Sequence, residues 1–161
     1  MATKSNLPYR PCAGIMLFNK QGQVLVGQRL DTYQTAWQLP QGGIEKGEEP
    51  IAAAFRELRE EIGTDNAELI GEIKNWLNYD LPPELMGKLW GGRFRGQTQK
   101  WFALRFLGTD IEIDPKIVAN PEFTAWKWVN IAEIQKLAVP FKRSVYKNVV
   151  NEFTRFAKAP K

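Results

Sequence analysis

Glu57, Glu60 and Glu61 stand three and four residues apart, a spacing that brings their carboxylates onto one face of a helix. Like charges so placed repel by a few tenths of a kcal/mol per pair. No basic residue is expected within their arc, and Ala53, one turn earlier, is small enough to leave room in front of them. A cation would relieve the repulsion, and oxygen-only ligands of this kind suit Mg²⁺ or Mn²⁺. The alternative is an ordinary solvated acidic face. The chain contains no histidine, so histidine acid–base catalysis and histidine metal ligation are excluded, and carboxylates must serve instead.

The helix that would carry these groups has clear ends. Pro50 has the fixed backbone angle and missing N–H that suit a first turn. Ile51, Ala54, Phe55, Leu58 and Ile62 share one apolar stripe at about 100° per residue, which predicts burial. Gly63 sits where a left-handed C-cap ends a helix. A glycine-rich loop, with Gly42, Gly43 and Gly47, leads in.

Taken together, Gly42, Glu48 and the run Arg56-Glu57-Leu58-Arg59-Glu60-Glu61-Ile62-Gly63 resemble the signature of the Nudix hydrolases. Only the last position departs from it, with Thr64 in place of a large aliphatic residue. The resemblance implies an α/β domain with a mixed β-sheet sandwiched between α-helices. It also implies a divalent-metal site, with more than one Mg²⁺ or Mn²⁺, built from Glu57, Glu60, Glu61 and Gly42. Gly43, Gly47, Glu48, Arg56 and Gly63 are then structural members of the motif, Glu48 and Arg56 forming an ion pair that ties loop to helix. Glu122 lies on an Asn-Pro-Glu-Phe loop, and in enzymes resembling this one such a glutamate reaches across to the metal cluster as a further ligand and catalytic group.

The 161 residues suit one domain, able to bury roughly 70% of its unfolded surface. We expect a tail at 1–8, a domain at 9–157 and a short tail at 158–161. Cys12, the single cysteine, lies in an apolar run and reads as a buried small side chain rather than a nucleophile. No signal peptide and no run long enough to cross a membrane is found, which favours a cytoplasmic enzyme.

Strands are expected at Cys12–Phe18, Val24–Gln28, Glu68–Leu77, Gln99–Phe106 and Ala125–Val129, the fourth with Trp101, Ala103 and Arg105 on one side and Phe102, Leu104 and Phe106 on the other. Pro82 and Pro83 break regular structure, and 84–100 reads as a long loop. Asp110 to Asp114 reads as an acidic turn or short strand with solvated charges. Asn130 can cap a short helix over Ile131–Leu137, and a longer one follows Pro140.

Arg10 and Arg29 flank the first two strands, each either a solvated charge or a phosphate contact. Trp37 reads as core. Tyr79 is the leading aromatic candidate for substrate contact, and Phe141 and Lys142 open the last helix where base or polyphosphate could dock. Together with Tyr9-Arg10-Pro11, Trp90-Gly91-Gly92 and Gln99-Lys100-Trp101, they resemble the branch of the family that holds bacterial RNA pyrophosphohydrolases and plant-type diadenosine tetraphosphate hydrolases. That resemblance implies a nucleoside 5′-polyphosphate substrate, either the 5′-triphosphate of RNA or diadenosine tetraphosphate, cleaved at a phosphoanhydride bond. It adds Gln99 to the candidate substrate contacts. One carboxylate should take the proton of the attacking water, and Glu57 is favoured. No obligate protein partner is evident. A non-catalytic nucleotide- or RNA-binding module on the same fold stays open as the alternative, though such a module is expected to lose motif carboxylates.

Overall fold

The computed structural model describes residues 6–29 and 36–158. Strand β1 (Tyr9–Phe18) turns at Asn19, whose carboxamide oxygen accepts from the N–H groups of Gln21 and Gln23, into β2 (Val24–Arg29). Two short strands follow, β3 (Trp37–Gln38) and β4 (Gln41–Gly43), and then helix α1 (Pro50–Ile62). Strands β5 (Ala67–Glu72) and β6 (Leu77–Asp80), helix α2 (Pro83–Met86) and the long β7 (Gly96–Phe106) come next. Strand β8 (Phe123–Val129) and helices α3 (Ile134–Leu137) and α4 (Arg143–Phe153) complete the order.

Among the described residues eight strands form one mixed sheet. Strand β1 runs parallel to β7 from Tyr9 opposite Gly96 to Phe18 opposite Arg105, and antiparallel to β2 and β4. A strand paired on both sides must be apolar on both faces, and every residue of Cys12–Phe18 is buried. Each face supports its own core. Met16, Phe18, Trp101 and Ala103 pack toward α3 and α4, against Val145, Tyr146, Val149 and Phe153. Ile15, Leu17, Phe102, Leu104 and Phe106 pack toward α1, against Ala54, Leu58 and Ile62. The alternation expected along β7 is therefore real. Fully burying a Leu or Ile contributes about 1.5–3 kcal/mol, so the stripe of α1 anchors its opposite face.

Three expectations change. The strand expected at 68–77 is two strands, β5 ending at Glu72 and β6 beginning at Leu77; between them the Ile73 N–H still donates to the Trp101 carbonyl (3.1 Å), and Lys100 Nζ donates to the carbonyls of Ile73 (2.7 Å) and Lys74 (3.2 Å). The segment 84–100 is not one loop. Pro83 opens α2 instead of breaking structure, a 3₁₀ turn covers Leu89–Gly92, and β7 begins at Gly96. The acidic turn is also more than solvated charge, since Asp110 accepts from the Trp128 indole (3.0 Å) and Glu112 and Thr109 form a capping box. Among the described residues no helix is long and apolar enough to cross a membrane.

Candidate active site

The site forms where the β4 loop meets α1. Gly63 caps the helix with φ 85°, its N–H donating to the Arg59 carbonyl at 3.0 Å. Two glycines matter through their missing side chains. A Cβ on Gly42 would overlap the Glu57 carboxyl, and a Cβ on Gly43 would lie 2.5 Å from Arg10 Nη2. The loop is thin so that a carboxylate can approach from one side and a guanidinium from the other.

Arg56 organises the junction. Its Nε and Nη2 donate to Glu48 Oε2 (2.8 Å) and Oε1 (2.9 Å), a bidentate pair, while Nη2 also donates to the Gly43 carbonyl (2.8 Å). The expected ion pair between loop and helix is present. The expectation of no basic group among the glutamates is corrected, because Arg56 Nη1 donates to Glu57 Oε1 (2.8 Å) and Glu60 Oε2 (3.1 Å). Arg56 and Glu60 are four residues apart, which places them one turn apart on the same face.

The carboxylates differ in environment. Glu60 is exposed, with its side chain 56% accessible. Burial pushes Glu57 up to about 7 against the pull of Arg56, with the charges of Glu60 and Glu122 adding to the rise. Glu61 is 1% exposed. Its Oε2 accepts from the Gln41 N–H at 3.1 Å, while Oε1 is buried without a hydrogen-bond donor. Burial raises its pKa well above the carboxylate range, and Glu122 lies close enough to repel its charge and, when one of the two is protonated, to share the proton. Glu122 thus comes to the cluster from the loop before β8.

These groups suit a divalent cation. All are oxygen donors, and among the described residues the buried Glu61 Oε1 has no hydrogen-bond partner. Among the described residues no three side chains are already converged in ligand geometry. The Arg56 guanidinium, seated between Glu57 and Glu60, serves as their counter-charge.

A cleft of about 280 Å³ opens beside the cluster, with Glu57, Glu122 and Gly42 on its acidic side and Arg10, Arg29 and Lys142 also on its walls. Tyr79 and Phe141 lie in the wall with ring centroids 5.7 Å apart. Arg10 packs over the Trp90 ring at 5.3 Å. Five of the six expected substrate contacts therefore line one cavity. Gln99 does not. It is 1% exposed and hydrogen-bonds only behind the wall, to Gln41, Gln97 and Trp101, so its placement as a direct contact is corrected. Trp37 lines the cleft as well as touching the core, with Lys127 Nζ 4.3 Å from its ring centre. Sequence reading missed Gln38, Gln41 and Gln97, all in the wall. The period-two placement of Gln97, Gln99 and Trp101 on one face of β7 was the available signal. Cys12 is buried, its thiol pushed up to about 11 by burial, as expected of an inert side chain.

The NUDIX domain model matches residues 8–149. The chain belongs to the Nudix family. It is 58% identical over 95% of its length to a Rhodospirillum rubrum protein named RNA pyrophosphohydrolase, covering 92% of that protein. A Sphingopyxis alaskensis protein of the same name is 52% identical over 95% of this chain and 98% of its own length. Among solved structures, the E. coli dihydroneopterin triphosphate pyrophosphohydrolase superposes with TM-score 0.66 at 23% identity, covering 90% of this chain and 99% of its own. A C. elegans Ap4A hydrolase complex gives 0.62 at 17% identity over 89% and 98%. These two likenesses speak for the fold. Nudix hydrolases generally use divalent metal ions, and this chain keeps Glu57, Glu60 and Glu61, the carboxylates that a merely binding relative is expected to lose.

Proposed function

We propose that this Nudix hydrolase removes pyrophosphate from the 5′-triphosphate end of RNA, and that the same site cleaves dinucleoside polyphosphates such as diadenosine tetraphosphate to AMP and ATP. The observation that carries the reading is one cleft in which carboxylates and cations lie on the same walls as a Tyr79–Phe141 aromatic pair. Such a cavity accepts a polyphosphate and a flat base together. The names of the full-length relatives support RNA.

Glu57, Glu60, Glu61 and Glu122 would hold the divalent ions, Mg²⁺ or Mn²⁺, with Gly42 beside them. Ions bound there would neutralise phosphate oxygens and lower the pKa of a water poised to attack phosphorus. Arg10, Arg29 and Lys142 hold the remaining phosphate charge, arginine by its planar fork. Tyr79 and Phe141 bind the base. A cluster carboxylate takes the water's proton, and Glu57 is our choice. Its Oε1 is held by Arg56 at 2.8 Å, which fixes the carboxylate's orientation.

Side-by-side kcat/KM values for a 5′-triphosphorylated oligonucleotide and for diadenosine tetraphosphate test the assignment. Both should turn over, the oligonucleotide with the higher value. An inert oligonucleotide would remove the RNA reading and leave the dinucleotide one.

A further inference from the structure

The wall of the cleft contains two glutamines, Gln41 and Gln97, whose amide polarity is set from behind. Trp101, 0% exposed, can only donate through its indole N–H. It does so to Gln99 Oε1 at 3.0 Å. Gln99 Oε1 is therefore an acceptor, and its Nε2 must be the group that faces the other way. Both hydrogens of that Nε2 are used, one to Gln41 Oε1 (2.6 Å) and one to Gln97 Oε1 (2.7 Å). Each acceptance fixes the next amide in turn. With their oxygens held inside the wall, Gln41 and Gln97 keep their own Nε2 groups for the cleft they line, and neither Nε2 has a partner among the described residues.

The backbone makes this chain of bonds possible. Gln97, Gln99 and Trp101 alternate onto one face of β7, and Gly14 of β1 lies opposite both Trp101 and Gln41. A Cβ on Gly14 would sit 2.6 Å from the Trp101 ring, so only glycine lets the indole lie across β1 at the height of the glutamines. The result is a wall whose amide donors point one way and whose acceptors are all consumed.

We propose that Trp101 and Gln99 are positioning residues which orient Gln41 and Gln97 into a pair of neutral N–H donors for acceptor oxygens of the substrate. This rests on the polyphosphate reading above. The oxygens belong either to phosphate or to a base carbonyl, and neutral donors suit both. An acceptor-bearing wall would repel either one, so an amide turned over costs more than one simply lost.

Three isosteric variants separate orientation from packing. Gln99→Glu still accepts from Trp101 but brings at most one hydrogen toward Gln41 and Gln97, forcing at least one of them to present its oxygen to the cleft. Gln99→Met removes the bonds without forcing either to turn. Gln41→Glu keeps an acceptor toward Gln99 and replaces the cleft-facing donor directly. Binding of inorganic tripolyphosphate and of inosine, a base carbonyl without phosphate, is measured by calorimetry and by shifts of the glutamine side-chain amide signals in ¹H–¹⁵N spectra. No turnover is needed, so failure of the hydrolase reading leaves this result readable.

In the wild-type chain the amide signals of Gln41 and Gln97 should move with one of the two probes, which names the source of the oxygen. Affinity for that probe should fall about tenfold or more in Gln99→Glu and in Gln41→Glu, and by a smaller factor in Gln99→Met. If Gln99→Glu does not fold, the wild-type shifts and Gln41→Glu decide. Amide signals that move with neither probe, or equal losses in Gln99→Met and Gln99→Glu, would overturn the proposal.

Discussion

The Glu57 carboxyl fills the space that any side chain at position 42 would need, so Gly42 is a condition for the placement of Glu57 and not merely a flexible link. Gly42→Ala should lower kcat by a hundredfold or more and destabilise the fold by about 1–3 kcal/mol through overpacking. Gly47 makes the useful contrast. It has φ 80° but nothing within 4 Å of a Cβ, so Gly47→Ala should cost about 1–2 kcal/mol from its left-handed backbone alone and leave kcat within a few-fold. Steady-state kinetics and thermal melts of the two variants check this; equal activity losses would contradict it.

Arg56 joins Glu48 through two parallel bonds and also reaches Gly43, Glu57 and Glu60. A lysine cannot reproduce that fork. Arg56→Lys should destabilise by about 1–3 kcal/mol and reduce activity. Denaturant unfolding is the measurement, and an unchanged midpoint would refute a tying role.

The pH dependence of stability follows from the raised carboxyls. Glu57 titrates near 7 in the folded chain against an ordinary 4.5, and burial is the main cause. The folded state therefore retains a proton that the unfolded state loses between these values. The stability associated with the neutral carboxyl is fully present below pH 4.5 and is lost as pH rises through 7, by up to about 3 kcal/mol for Glu57 alone. Glu61 acts in the same direction. The melting temperature in chelator should fall from pH 4.5 to 7.5, and millimolar Mg²⁺ should flatten the slope by binding the ionised form. A chelated protein with no slope would show that these carboxyls are not strained.

Tyr146 fixes the segment entering the site. Its hydroxyl oxygen accepts from the Leu39 N–H at 3.1 Å, both residues being fully buried. Tyr146→Phe leaves that N–H unpaired at a cost of about 1–3 kcal/mol. We expect KM to rise more than kcat falls, since Gln38 and Gln41 on either side line the cleft. A change confined to kcat would argue against this.

Much of this arrangement could be read from residue patterns, for local reasons. Pro50, the stripe through Ile62 and Gly63 bounded α1 because a helix is specified by neighbours within a turn. The two-sided alternation of β7 was legible because period two is equally local. What escaped depends on contacts across the chain. Gln99 looked like a substrate contact because nothing near it in sequence reveals that Gln41, 58 positions away, takes its hydrogen bond. Between β5 and β6, Lys100 reaches the Ile73 carbonyl from 27 positions away, a contact that no local pattern announces. Arg56 was the avoidable miss. Its one-turn spacing to Glu60 is as local as any helix signal and places the guanidinium among the glutamates.

The most direct test of the glutamate cluster is pyrophosphate release from a 5′-triphosphorylated oligonucleotide, with and without Mg²⁺, by the wild-type chain and by Glu57→Gln, Glu60→Gln and Glu61→Gln. The account predicts hydrolysis that requires the divalent ion and falls at least a hundredfold in each variant that still folds. Hydrolysis that persists in chelator, or that survives all three substitutions, would contradict it.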